Sequence, residues 1–348
     1  EYKLKQGMIN KGYTPEFADR LFNQIKGFGG YGFPESHSAS FALLAYVSAW
    51  LKCHHPAAFY VGLLNSQPMG FYSPSQLVQD AQRHHIVILP TDVNHSDWDH
   101  QLLSSDNTRQ PPIRLGLRLV KGLSQAAGKR ISDVRRQRAF TNLADLRRRA
   151  SLDRKNMEAL AAADALSSIS GHRHQTHWQT MALEDHQPLL PAEASLKHEA
   201  RSEVRLPTPS LGEEVLADYQ STGLSLKAHP LALLRTQYPF SQCTTQKELI
   251  RLGNHRFVRI AGLITCRQRP GTASGVVFLT LEDETGNMNV IVWPAVQERY
   301  RQALMTSQLV VIKGTVEARN DVVHVIASAL ENHSERLSTL TVASRDFH

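Results

Sequence analysis

Two runs near the end of the chain, "RFVRIAGLITCRQR" (256–269) and "GVVFLTLEDETGNMNVIVW" (275–293), alternate apolar and polar residues with the period of two that marks a half-buried strand. A third, "QLVVIKGTVEARNDVVHVIASAL" (308–330), continues the pattern. Turn residues at Thr285-Gly286-Asn287 and Arg319-Asn320-Asp321 divide these runs into five strands. A helical pattern near Ala295 to Leu304 separates the third strand from the fourth. Five short strands with one helix at that place are the layout of an OB barrel, expected over residues 255–332 with a tail at 333–348. On such a barrel Phe278 and Trp293 offer faces on which bases can stack, and Arg256, Arg259, Arg267 and Arg269 form a basic rim suited to a single strand. Phe278 alternates with Val276 and Thr280, and reads equally well as core.

Upstream of the barrel, "LVKGLSQAAGKRI" (119–131) fits a helix-hairpin-helix. A short strand pattern ends at Lys121-Gly122 and a helix follows from about Ser124. The hairpin turns on Gly122, and the amides that open its second helix can hold a phosphate oxygen. Lys121, Ser124, Lys129 and Arg130 would add side-chain contacts. A second hairpin runs through "FTNLADLRRRASLDRKNMEALAAADAL" (140–166), so a tandem unit is expected over 109–170. Arg135, Arg136 and Arg138 in "VRRQR", and Arg147, Arg148 and Arg149 in "LRRRA", are further phosphate candidates, though charge runs are often solvated faces. Between Arg109 and Lys155 stand 14 basic and 3 acidic residues, whereas the whole chain of 348 residues carries only +7. A polyanion is the partner this segment calls for, met through its backbone rather than its base sequence.

The first 108 residues read mainly as helices, with Thr14-Pro15 and Ser73-Pro74 as N-cap and first-turn pairs. Ser36 or Ser38 can cap a helix through Phe41, Leu44, Val47 and Leu51, and a companion starts at Pro56. "IVILP" (86–90) reads as a buried strand. Residues 170 to about 210 lose periodicity, so 171–254 is expected to be a linker with short helices. Three cysteines without CxxC spacing exclude a disulfide framework and a zinc ribbon, and a reducing cytoplasm fits them. No apolar run approaches the roughly 20 residues needed to span a bilayer. The histidines in "KCHHP" and "GHRHQTHW" lack the spacing of a metal box.

The stretch "GYGFPESHSASFALLAYVSAWLKCHHP" (30–56) resembles the end of the fingers in bacterial C-family DNA polymerases. The module order that follows, tandem hairpins, a linker with "GLSLKAHPL" (223–231) and an OB barrel, is also similar to that family's. The resemblance covers nearly the whole chain. It implies an α+β multidomain chain: helical fingers and hairpins followed by a five-stranded barrel. It further implies that Gly30, Tyr31, Gly32, Phe33, Ser36, His37, Ser38 and Lys52 line a pocket for the incoming nucleotide.

In the family, palm carboxylates holding Mg²⁺ precede the fingers, and the first 85 residues here offer no suitable pair. The chain therefore reads as the C-terminal part of a longer polymerase, with no cofactor or catalytic residue of its own. It ends soon after the barrel, which is similar to the error-prone branch. Expected partners are primer–template duplex, single-stranded template, and the Y-family-like and RecA-like proteins of a mutasome. "HQPLL" (His186, Gln187, Pro188, Leu189, Leu190) is a degenerate version of the family's clamp-binding motif, which implies sliding-clamp contact that is weak or made through a partner. A stand-alone DNA-binding scaffold and a fragment of a replicative α subunit are the rival readings.

Overall fold

A computed structural model describes residues 1–31, 35–69, 72–104, 110–183, 206–271, 275–319 and 322–338. They form two compact units, 1–60 and 61–348.

The first unit contains α1 (Tyr2–Ile9), α2 (Pro15–Tyr31) and α3 (Glu35–His54), and α4 (Pro56–Asn65) starts within it. Thr14 caps α2 by accepting from the Phe17 amide at 3.3 Å. Lys5 ties α1 to α2 through Asp19 at 2.8 Å and the face of Phe22. Two placements matter for the residues singled out in the sequence, the second of them a correction of the expected cap. Gly30 and Tyr31 belong to the end of α2 rather than to a loop, and Ser36 and Ser38 lie inside α3, because the helix already begins at Glu35. Around α3, Phe41, Leu43, Leu44, Tyr46, Val47 and Trp50 are all exposed, so its apolar residues form no single stripe.

The second unit opens with α5 (Pro74–Arg83), whose N-terminus is a capping box between Ser73 and Gln76. Three two-residue strands follow, β1 (Ile88–Leu89), β2 (Gln101–Leu102) and β3 (Ile113–Arg114), in the order β1-β3-β2. β1 runs parallel to β3, so the sheet crosses the expected border at residue 108. Just after it, buried His100 accepts the Gly116 amide at 3.1 Å through Nδ1. Burial, helped by the charge of Arg118, pushes the His100 ring down to about 4 and keeps it neutral.

The hairpin region is α6 (Gln125–Gln137), α7 (Leu143–Arg149), α8 (Arg154–Ala162), the short α9 (Ser167–Ser170) and α10 (Arg173–Met181). Leu117, Leu123, Ile131, Leu146, Leu152 and Leu160 are among its buried core. The Trp98 ring lies on α6 at Gly128, where a Cβ would come within 2.4 Å of it, so only glycine admits the contact. Helix α10 falls inside the expected linker. Its buried face is Arg173, Thr176 and Thr180, which carries no hydrophobic period.

The rest of that linker also packs. It holds α11 (Leu211–Ser221), α12 (Pro230–Leu234) and α13 (Gln246–Leu249). Lys227 reaches Asp164 at 2.9 Å and pairs with Glu214, while Arg173 pairs with Glu214 and Asp218. His229 accepts the Leu231 amide through Nδ1, which leaves Nε2–H to donate to buried Glu282 at 3.2 Å. Gln79 of α5 donates to the same carboxylate oxygen at 2.6 Å. Segments 61–85 and 206–234 are thereby fastened to the barrel. Leu231, Leu234 and Phe240 form a second apolar layer on its outside against Ala261, Leu309 and Val311.

The barrel is β4 (Phe257–Gln268), β5 (Val277–Glu282), β6 (Asn287–Val292), β7 (Leu309–Arg319) and β8 (Val322–Asn332). It closes in the order β4-β5-β6-β8-β7, with β6 and β8 parallel and the other pairs antiparallel. Ile260, Leu279, Leu281, Val290, Val292 and Ile312 fill it. The helix expected between the third and fourth strands is two short ones, α14 (Pro294–Arg299) and α15 (Arg301–Thr306), and α16 (Glu335–Ser338) follows the last strand.

Candidate nucleic-acid interface

The two hairpins repeat one device 29 residues apart. In the first, Gly122 takes φ +87°, Leu123 is buried and Ser124 caps α6 by accepting from the Ala127 amide at 3.2 Å. In the second, Ser151 takes φ +48°, Leu152 is buried and Asp153 caps α8 by accepting from the Asn156 amide at 2.7 Å. Each hairpin also braces the other. Arg130 of α6 donates to the carbonyls of Ala150 and Ser151 at 3.0 and 3.2 Å, and Asn156 of α8 accepts the Ser124 amide at 3.3 Å.

Their caps differ in charge. The hydrogen bond from the Asn156 amide holds the Asp153 carboxyl below the usual carboxylate range, so α8 begins with an anion already in place. Helix α6 begins with a neutral hydroxyl. Sequence reasoning does not single out Asp153 or Asn156. The recurrence of a buried leucine and a capping side chain at the same step from each turn is the signal that finds them.

About half of the described cations of the basic segment end on carbonyl oxygens, several of them at helix C-termini. Lys121 donates to Tyr219 and Gln220 at the end of α11, at 3.1 and 2.9 Å, while its own amide donates to Ser221. Arg135 bonds the carbonyls of Val93 and Ser96 and pairs with Asp97. Arg147 donates to Leu183. Arg149 donates to Val134 and Arg138, and with Arg138 it surrounds Asp145 at 3.1 and 3.0 Å. Burial of the Asp145 carboxyl opposes its ionisation, but the bonds from Arg149 and the Thr141 amide prevail and hold its pKa low. The outward-facing cations are Lys129, Lys155, Arg136 beside Asp133, Arg138 beside Asp145, Arg154 beside Glu158, and Arg148, whose side chain is 76% exposed.

On the barrel, the open alternation at Phe278 resolves outward. Val277, Leu279 and Leu281 point into the core while Phe278 is exposed, flanked by Gln268 and Ile291 on the neighbouring strands. Trp293, at the end of β6, is half exposed. Arg256 and Arg269 face solvent, and Arg259 donates to Gln242 at 2.8 Å. Arg267 is exposed as well, but its guanidinium donates to the carbonyls of Leu304 and Ser307.

In the first unit, His37 is exposed and packs on Phe41, Ser38 is half-buried, and Lys52 lies over the ring of Tyr60 at 5.9 Å. His37 and Lys52 stand about 22 Å apart along the axis of one helix, so that helix alone does not gather them. Gly32, Phe33 and the stretch His186 to Leu190 lie outside the described residues, as do the side chains of Tyr31 and Ser36. Among the described residues no group of three His, Cys, Asp or Glu side chains suits a metal ion, and no helix is long and apolar enough to cross a membrane.

Tandem hairpins and a closed five-stranded barrel in one unit define a nucleic-acid-binding chain. Residues 85–176 match the helix-hairpin-helix motif and residues 258–332 the OB-fold nucleic acid binding domain. Over its full length the chain is 54% identical to the error-prone DNA polymerase of Saccharophagus degradans, and over 99% of its length 54% identical to that of Teredinibacter turnerae. It covers 34% of each. The chain is thus a relative of the error-prone DNA polymerases and spans about a third of their length. A solved asparaginyl-tRNA synthetase from Pyrococcus horikoshii, 24% identical over 26% of this chain and 22% of its own, has a TM-score of 0.23 and adds nothing to this.

Proposed function

We propose that the chain is the C-terminal region of a cytoplasmic error-prone DNA-directed DNA polymerase that carries out translesion synthesis and damage-induced mutagenesis. The observation that carries the reading is the 54% identity to an error-prone DNA polymerase over the full length of the chain, hairpins and barrel included. In this reading the first hairpin and the outward cations Lys129 and Arg148 hold duplex backbone. The barrel face bearing Phe278 and Trp293 meets the single-stranded template. The helical first unit belongs to the fingers, with His37, Ser38 and Lys52 on the nucleotide side. Mg²⁺ serves the intact polymerase. No cluster among the described residues fits it, so no chemical step is assigned to this chain. Y-family-like and RecA-like mutasome proteins are the protein partners, and the sliding clamp is engaged weakly or through them.

The test is a fluorescent primer–template with a single-stranded overhang, titrated with the full chain at several salt concentrations in the presence of Mg²⁺ and deoxynucleotides. Expected is salt-dependent binding without primer extension, and for the double variant Lys129→Glu, Arg148→Glu a slope of log affinity against log salt that is shallower by roughly 0.9 per lost phosphate contact. Binding that ignores both substitutions sinks the duplex assignment, and template-dependent extension sinks the division of labour.

A further inference from the structure

Beside the first hairpin, α10, the end of α8 and α11 enclose a groove of about 620 Å³ that the proposed duplex grip leaves unused. Its floor includes Ala161 and Ala217, and its walls carry Trp178, Met181 and His177, with Lys121 among the lining residues. Trp178 and Met181 are 52% and 55% exposed, one turn apart on α10. Large apolar side chains left open on a helix whose other face is buried call for a flat or apolar occupant.

The charge of that occupant follows from the lining, which holds no Asp or Glu. Arg173 also lines the groove, but its charge is answered by Glu214 and Asp218. Among the described residues the partners of the Lys121 ammonium are the carbonyls of Tyr219 and Gln220 and no carboxylate, and these use two of its three N–H donors. Because Lys121 also belongs to the turn of the first hairpin, the groove is continuous with the surface that would hold a DNA backbone.

We infer that this groove receives an unpaired nucleotide of the strand held at the first hairpin, with its base stacked on Trp178 and its phosphate beside Lys121. The inference rests on the DNA-binding reading above and adds a second single-strand site, separate from the barrel. An acidic segment of a protein is the other anion with apolar parts, but only a nucleic acid strand uses the continuity with the hairpin.

The test uses the full chain with a dT12 oligonucleotide, a blunt duplex of equal length, and dT12 carrying 5-iodo-deoxyuridine for photocrosslinking. Trp178→Ala should weaken dT12 binding about tenfold, within the range for loss of one stacked base, and leave the blunt duplex unaffected, while Trp178→Phe restores most of the loss. The crosslink should map to Trp178 or Met181 and persist in Trp293→Ala, which removes only the barrel's aromatic face. Wild-type dT12 affinity in Trp178→Ala, or crosslinks confined to residues 256–332, overturns the groove assignment while the duplex grip stands, and leaves the groove to a protein segment. If the wild-type chain binds neither oligonucleotide, the proposed function falls with it.

Discussion

At the first hairpin Gly122 makes the turn and a serine hydroxyl caps the helix, whereas at the second Ser151 makes the turn and an aspartate carboxylate caps it. The backbone device is the same. The difference shows how one fold element repeated in a chain can be given two tasks by a single capping residue. A neutral cap leaves the positive end of the helix available to an outside anion, and an acidic cap satisfies it from within. In the proposed reading the helix start of the first hairpin is the one left open to a phosphate, while the second, apart from Arg148 on α7, braces it through Asn156 and through the carbonyls that receive Arg130.

The largest contrast between them is expected in acid. His100 supports the approach to the first hairpin only as a neutral ring accepting from Gly116. Its folded pKa of about 4 lies below the ordinary value of 6.5, so the unfolded state takes up the proton first. The contribution is complete above about pH 6.5 and drains away as pH falls toward 4, by up to about 3 kcal/mol. Asp145 and Asp153, at the second hairpin, have lowered pKa values, so their contributions persist until pH falls below the ordinary carboxylate value. Amide exchange between pH 7 and 5, corrected for intrinsic rates, should lose protection at Gly116 to Val120 while Leu146 and Met157 keep theirs. His100→Gln should flatten the difference, and a variant retaining the wild-type pH slope would break it.

A smaller contrast lies in the turns. Gly122→Val forces a β-branched residue to φ +87° and should cost about 2 kcal/mol of stability in urea unfolding. Ser151→Gly relieves the same kind of strain and should be neutral or stabilising by less than about 1 kcal/mol. Equal losses in both variants would mean the two turns are not equivalent. The smallest effect, and the one that sharpens the comparison most, belongs to Asp153→Asn. The cap survives and the anion is removed. Duplex affinity should rise a few-fold and the salt slope steepen by about 0.9, the value for one added phosphate. An unchanged slope would show that the carboxylate is not what keeps the second helix from DNA.

The five strands of the barrel and the place of the helical segment between the third and fourth were legible in the sequence, because alternation on a half-buried sheet writes itself into every strand; the division of that segment into α14 and α15, and α16, were not. Both hairpins were legible from Gly122 and from the apolar residues around them. Helix α10 was not, since its inward face is Arg173, Thr176 and Thr180 and no apolar period betrays it. The strand β1 was legible as the apolar run at 86–90, but β2, two residues with no apolar run around it, is too short to alternate visibly. The cations were the least legible. Arg130, Arg135, Arg149 and Arg267 are spaced like surface charges, but what they meet are carbonyls brought close only by the tertiary fold. A net charge counts them, and cannot say which are committed inward.

The bonds that Gln79 and His229 make to Glu282, with Lys121 fixed to the end of α11, bear on how the two modules could work on one substrate. A floppy tether would oblige the second module to search for its strand after the first had docked, with a loop-closure entropy to overcome. Here hairpins and barrel belong to one compact unit. Under the proposed function their separation would act as a gauge, fixing how many nucleotides lie between a duplex end and the barrel, so that a strand of the wrong length would be rejected by geometry rather than by affinity.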